Sequence, residues 1–147
     1  MGYEDEIKIN RHELDEEMIK QPQLYTTWAL KAAEAEMAYE EAKTNYELIK
    51  GDFENRIRAN PDRFDLPHDT RVTDKVAKIT AEAQQPVKLA DKKRQEAFKT
   101  MKILSKIEKG FQQRKNMLEA LAYYSNRIYS SEPSENKVTS RLRRRRK

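Results

Sequence analysis

The sequence predicts an all-α protein: a long antiparallel helical hairpin with short flanking helices, one that oligomerises. Three observations carry this. The 147 residues include only three glycines, Gly2, Gly51 and Gly110, whereas β-hairpins depend on glycine-bearing turns. Two long stretches repeat apolar residues at alternating steps of three and four, the period of a helical seam. Hydrophobic and charged residues each make up 37% of the chain. That is less apolar surface than a thick globular core needs, and long thin helices or burial against copies of itself answer the shortage.

In chain order, Asn10 is placed to cap a short amphipathic helix reaching Lys20, with Glu13 three residues on as in a capping box. Pro22 is expected to end it. The stretch Leu24 to Ala59 lacks proline and would extend about 54 Å as a helix. Its seam is Trp28, Ala32, Ala35, Tyr39, Ala42, Tyr46, Ile49 and Phe53, a heptad pattern calling for lengthwise packing on another helix. Asn60 to Asp69 is a turn, since Asn60-Pro61 and Pro67 disfavour helix continuation. A short helix is expected from Thr70 to Ala83, and Pro86 suits the first turn of the next. That last helix runs to about Tyr129 with Val87, Ala90, Ala97, Met101, Leu104, Phe111 and Leu118 along its seam. Arg94, Glu108 and Lys115 interrupt the seam, and polar groups there need partners or a snorkelled path to water. Tyr25, Ile103, Ile107, Tyr123 and Tyr124 fall outside it and favour a homo-oligomer interface.

Residues 1–130 therefore read as a helical oligomerisation and nucleic-acid-binding domain. Residues 131–147 read as a disordered tail, because like charges as dense as those of Arg141, Arg143, Arg144, Arg145, Arg146 and Lys147 repel one another until an anion neutralises them. There is no cysteine, which excludes disulfides and thiolate metal sites and fits a reducing, cytoplasmic setting. No apolar run approaches the roughly 18 residues of a membrane span, so no membrane is expected.

Catalytic patterns are missing. No phosphate-binding GxxxxGK[ST] loop, GxSxG or HExxH is present, and neither a cofactor nor a metal is expected. His12 and His68 each stand beside a carboxylate, but a shared site would require distant segments to meet. The chain reads as a non-enzyme.

Charge is the informative property. Residues 1–60 carry 8 Lys/Arg against 14 Asp/Glu, and residues 61–147 carry 22 against 11. Basic residues crowd the last helix: Lys92, Lys93, Arg94, Lys99, Lys102, Lys106 and Lys109, then Arg114, Lys115 and Arg127. An extended positive surface suits a phosphate backbone, and counterion release would make binding salt-dependent. Tyr123, Tyr124 and Tyr129, beside Arg127, are candidate stacking platforms for single-stranded bases, with core or interface packing as the alternative.

The segment LDEEMIKQPQLYTTWALKAAEAE, followed by a long helix, NPDRF and a basic helix containing IEKGFQQRKNMLEALA, resembles the UvsY-type recombination mediator proteins of tailed phages. Leu24-Tyr25-x-x-Trp28 is similar to the family's Leu-Tyr-x-x-Trp, and Gly110-Phe111 with Arg114-Lys115 is similar to its C-terminal helix. The resemblance spans about residues 12 to 125. It implies a ring-like homo-oligomer that binds single-stranded DNA and helps a RecA-like recombinase replace single-strand-binding protein, in the host cytoplasm if the chain is phage-encoded. It also implies DNA contacts at Arg56 and Arg58, whose spacing matches the family's Lys-Ala-Arg although they sit some residues later than a gapless alignment from Trp28 places it. A phage structural or scaffolding-type assembly protein, with a basic tail touching nucleic acid, explains the seam, the charge asymmetry and the tail equally well.

Overall fold

The computed structural model describes residues 2–67 and 71–131, the side chains of 129–131 excepted. Among these residues every regular element is helical: α1 (Tyr3–Glu6), α2 (Leu14–Ala59), a 3-10 turn (Pro61–Phe64), α3 (Asp74–Glu82) and α4 (Gln85–Ser131). No helix among them is long and apolar enough to cross a membrane. Contacts divide the chain into two compact units, one of residues 1–26 with 109–147 and one of residues 27–108.

Local chemistry sets the ends of the helices. Asp15, Glu16 and Glu17 occupy the first turn of α2 and Arg56 and Arg58 its last, the charge order that complements a helix dipole. Asn60 precedes proline and is extended, at φ −139° and ψ 74°, because the proline ring crowds a helical conformation at the residue before it. The 3-10 turn closes on Asp65, whose N–H donates to the Pro61 carbonyl and whose left-handed backbone, φ 57°, turns the following Leu66 N–H back to the same carbonyl at 3.4 Å. Aspartate tolerates that region better than bulky residues do. Thr73 caps α3, its hydroxyl accepting from the Val76 N–H at 3.3 Å, and so the helix expected from Thr70 starts at Asp74 instead. Pro86 lies in the first turn of α4, where its missing N–H has no helical partner to lose.

Two expectations about the first helix are corrected. Asn10 accepts from the His12 N–H at 3.1 Å and donates from its side chain to Glu13 at 3.0 Å, a local turn, and the helix begins four residues later. Pro22 lies inside α2 and does not end it. A proline within a helix costs about 3 kcal/mol through its lost hydrogen bond and ring clash. Tertiary contacts of the neighbouring residues offset that: the buried Gln21 amide donates to the Phe111 carbonyl at 2.8 Å, and Glu17, one turn earlier, pairs with Arg114.

The unit of residues 27–108 packs Ile57 against Ala77 and Ala81, with Phe53, Phe64, Leu66 and Val72 around them. Alanines at α3 let it lie close to α2, and ion pairs frame the contact: Lys50 with Glu82 and Arg58 with Asp74, each at 2.8 Å. Trp28, Ala32 and Ala35 of α2 and Val87, Ala90 and Ile107 of α4 are also buried. Tyr39 meets Phe98 with ring centroids 5.3 Å apart, and the Arg94 guanidinium lies 5.0 Å from the Tyr46 ring.

The unit of residues 1–26 and 109–147 is built around Phe111, Leu118, Gln21 and Arg114, all buried. The Arg114 side chain is 2% exposed. Its guanidinium donates to Gln21 Oε1 at 2.6 Å, to the Lys8 carbonyl at 3.1 Å and to the Glu17 carboxylate. Burial raises the Glu17 pKa, but the Asn10 N–H, the hydrogen bond and charge of Arg114, and Lys20 together leave it below its ordinary 4.5. On α4 the buried series Ile107, Phe111, Arg114, Leu118 keeps the three-four rhythm while turning Glu108 and Lys115 away from the most buried line. Ile107, expected outside the seam, is thereby inside it.

Two stability predictions result. A Cβ at Gly51 meets nothing within 4 Å, so Gly51→Ala, relieved of glycine's entropy cost in a helix, should stabilise by about 1 kcal/mol in urea unfolding. Glu17→Gln strands a buried guanidinium and should destabilise by about 3 kcal/mol at neutral pH. Because the folded-state pKa of Glu17 is depressed, its contribution is present above about pH 4.5 and lost as pH falls through the lower folded value. The gap in urea midpoint between wild type and Glu17→Gln should therefore narrow below pH 4.5.

Candidate nucleic-acid interface

Helix geometry turns a scattered set of lysines into a line. On α4, Lys88, Lys92, Lys99, Lys102 and Lys106 follow one another at steps of four, seven, three and four, and all five are exposed. At 100° per residue these positions stay within one face about 80° wide, and from Lys88 to Lys106 they cover about 27 Å of helix. None has an ion-pair partner among the described residues; Lys102 only lies over the Phe98 ring at 5.2 Å. Of the bordering carboxylates, Asp91 is already engaged by Arg94 at 2.9 and 2.5 Å and by Gln95 at 2.8 Å, and the exposed Glu96, about one turn from both Lys92 and Lys99, pairs with neither. Five ammonium groups in a row without ion pairs, on a helix that buries Val87, Ala90 and Ile107 over the rest of its circumference, form a cationic edge.

The residues singled out from sequence fall into different places. Lys92 and Lys93 are exposed, Lys92 on the cationic line and Lys93 about 100° around the helix from it. Arg94 is half-buried and held by Asp91. Arg56 pairs with Asp52 at 2.7 Å and Arg58 with Asp74 at 2.8 Å, so each guanidinium is already partly neutralised. Lys115 is exposed and 3.7 Å from Glu119. Arg114 requires a correction: its side chain is buried against Glu17, Gln21 and Lys8 and presents no donor to a phosphate. Arg141, Arg143, Arg144, Arg145, Arg146 and Lys147 lie outside the described residues, as does His68.

The seam residues Trp28, Phe111 and Leu118 are buried, while Tyr39, Tyr46, Ile49, Phe53 and Leu104 are half-buried. Tyr123 and Tyr124 are exposed, with Arg127 6.0 Å from the Tyr123 ring centroid. Sequence reasoning passes over Lys88. Its step of four from Lys92 is the signal that could have found it.

No cluster of three or more His, Cys, Asp or Glu residues able to hold a metal ion occurs among the described residues. No protein-family model, no curated protein and no solved structure matches the chain.

The contrast between the two arginine types is measurable. Arg114→Ala should lower the urea midpoint markedly, by the 3 to 5 kcal/mol or so that a broken buried pair costs. Arg56→Ala, at an exposed i,i+4 pair, should change stability by less than about 1 kcal/mol.

Proposed function

We propose that the protein is a non-catalytic, single-stranded-DNA-binding recombination mediator that helps a RecA-like recombinase take the place of single-strand-binding protein in the cytoplasm. The observation that carries the DNA-binding part is the unpaired lysine line on α4. A row of flexible point charges engages phosphates without reading bases, and its affinity comes from counterion release. The exposed Tyr123 and Tyr124 support a preference for single strands, whose unstacked bases can lie on aromatic rings. The mediator role and a ring-like homo-oligomer rest on the resemblance of residues 12–125 to UvsY-type proteins.

In this reading α2 and α4 run antiparallel. The order of contacts supports it in each unit: Tyr39 meets Phe98 and Tyr46 meets Arg94 in one, and Glu17 meets Arg114 and Gln21 meets Phe111 in the other. Within the unit of residues 27–108, α2 then carries an acidic surface and α4 a cationic edge. The Arg-rich terminus adds a second contact, tethered so that its effective concentration is high. A structural or assembly role is the second reading, favoured by the large exposed apolar residues of α2, Leu30, Met37 and Leu48.

Fluorescence anisotropy with single-stranded and duplex oligonucleotides of mixed sequence, across a salt series, tests the proposal. Five lysine contacts give a slope of log K against log salt of about −3.5 on single strands. Lys92→Gln, Lys99→Gln and Lys106→Gln together should reduce that slope by about 2, whereas removing Arg141 to Lys147 should lower affinity and leave helicity intact. An unchanged slope in the triple variant would overturn the α4 assignment. Failure to stimulate a RecA-like recombinase on protein-coated single strands, with binding intact, would favour the structural role.

A further inference from the structure

On α2 a second apolar line runs opposite the buried one. Leu30, Met37 and Leu48 are 60%, 73% and 68% exposed. Projected at 100° per residue they lie within about 20° of one another, and about 180° from Tyr39. Ala33 and Thr44, both exposed, fall between them, about 60° and 40° to one side of Leu30, and Glu41 projects within about 20° of Leu30 and Leu48, so the face from residue 30 to 48 carries one carboxylate in its middle. Further carboxylates flank it, Glu34 about 40° from Leu30 on one side and Glu40 and Glu47 about 80° and 100° away on the other. All four glutamates are exposed. Glu40 is 4.0 Å from Lys43, and Glu34, Glu41 and Glu47 have no cationic partner among the described residues. Lys43 projects well away from this face, and Lys31, about 100° from Leu30, lies over the Trp28 ring at 4.1 Å.

A helix apolar on opposite sides has one face more than its own chain covers. Here the uncovered face is an apolar line with carboxylates within and beside it, charges that select what pairs with it. We infer that this outward face of α2 is a docking surface for a basic amphipathic helix of another protein, with apolar residues at three-four spacing and Lys or Arg on both flanks. The charge excludes α2 of a second copy, since four glutamates would meet four glutamates. The lysine line of a second copy's α4 has the right sign, but docking there would cover the surface that binds DNA. That exclusion alone rests on the function proposed above. About 27 Å of helix, from Leu30 to Leu48, matches a partner segment of roughly five turns.

The test uses the full-length protein and a fluorescent designed peptide of about three heptads, with Leu at a and d and Lys at e and g, beside a control peptide carrying Glu at e and g. The Lys peptide should bind and the Glu peptide should not. Met37→Asp with Leu48→Asp should weaken the Lys peptide at least about tenfold, as loss of central anchors does, with helicity and DNA affinity unchanged because both side chains are exposed. Glu34→Gln with Glu41→Gln and Glu47→Gln should weaken it and flatten its salt dependence. Equal binding of the two peptides, or an unchanged affinity in the Met37→Asp, Leu48→Asp variant, would overturn the assignment. So would sedimentation showing that this variant dissociates a homo-oligomer, which would give the face to a second copy. Loss of DNA binding in the lysine variant with peptide binding intact would concern the α4 surface alone.

Discussion

A shortage of apolar side chains governs this protein, and its buried positions show how the chain lives with it. Much of what is buried is small: Ala32, Ala35, Ala77, Ala81 and Ala90. Alanine lets helices approach closely and loses no side-chain entropy on burial, so short contacts substitute for bulky ones. The larger buried residues are Trp28, Ile57, Val87 and Ile107 in one unit and Phe111 and Leu118 in the other. Where apolar residues run out, a guanidinium takes an interior place. Arg114 brings a charge into the packing and is held there by Glu17, Gln21 and a backbone carbonyl. Such a pair adds little over a well-packed apolar group, but it tolerates no loss of one partner. The N-terminal segment, the start of α2 and the middle of α4 are thereby joined through one side chain.

The same economy shapes the surface. With so many charged residues, helix faces become regions of nearly one sign. The α4 lysines form a line because their spacing follows the helical period, and the nearby carboxylate Asp91 is bound by Arg94 and Gln95. On α2 the glutamates lie within and beside an apolar line instead. The two long helices thus offer surfaces of different chemistry, one cationic and the other apolar and acidic.

The all-helical fold was legible for plain reasons. Few glycines and the three-four repeat of Trp28, Tyr39, Tyr46 and Phe53 leave little other choice, and the break at Asn60-Pro61 is stated by local sterics. Pro22 misled because its cost is local while its compensation is not: the Gln21 and Glu17 contacts come from residues some 90 positions away. The capping role read for Asn10 failed for a similar reason, since its backbone N–H and side chain are engaged by Glu17, Glu13 and His12 in a turn ahead of the helix.

Composition and periodicity by themselves determined that the chain is helical, where its main turn falls, and that its second half is cationic; these depend on backbone preferences and on charges that need no partner. Tertiary structure decided which charges remain free. Arg114 and Lys115 are neighbours of the same sign, equivalent in the sequence, yet one is buried against Glu17 and the other reaches solvent. A rotation of about 100° between successive helix positions separates them, and only the packing of α4 against α2 fixes which one points inward.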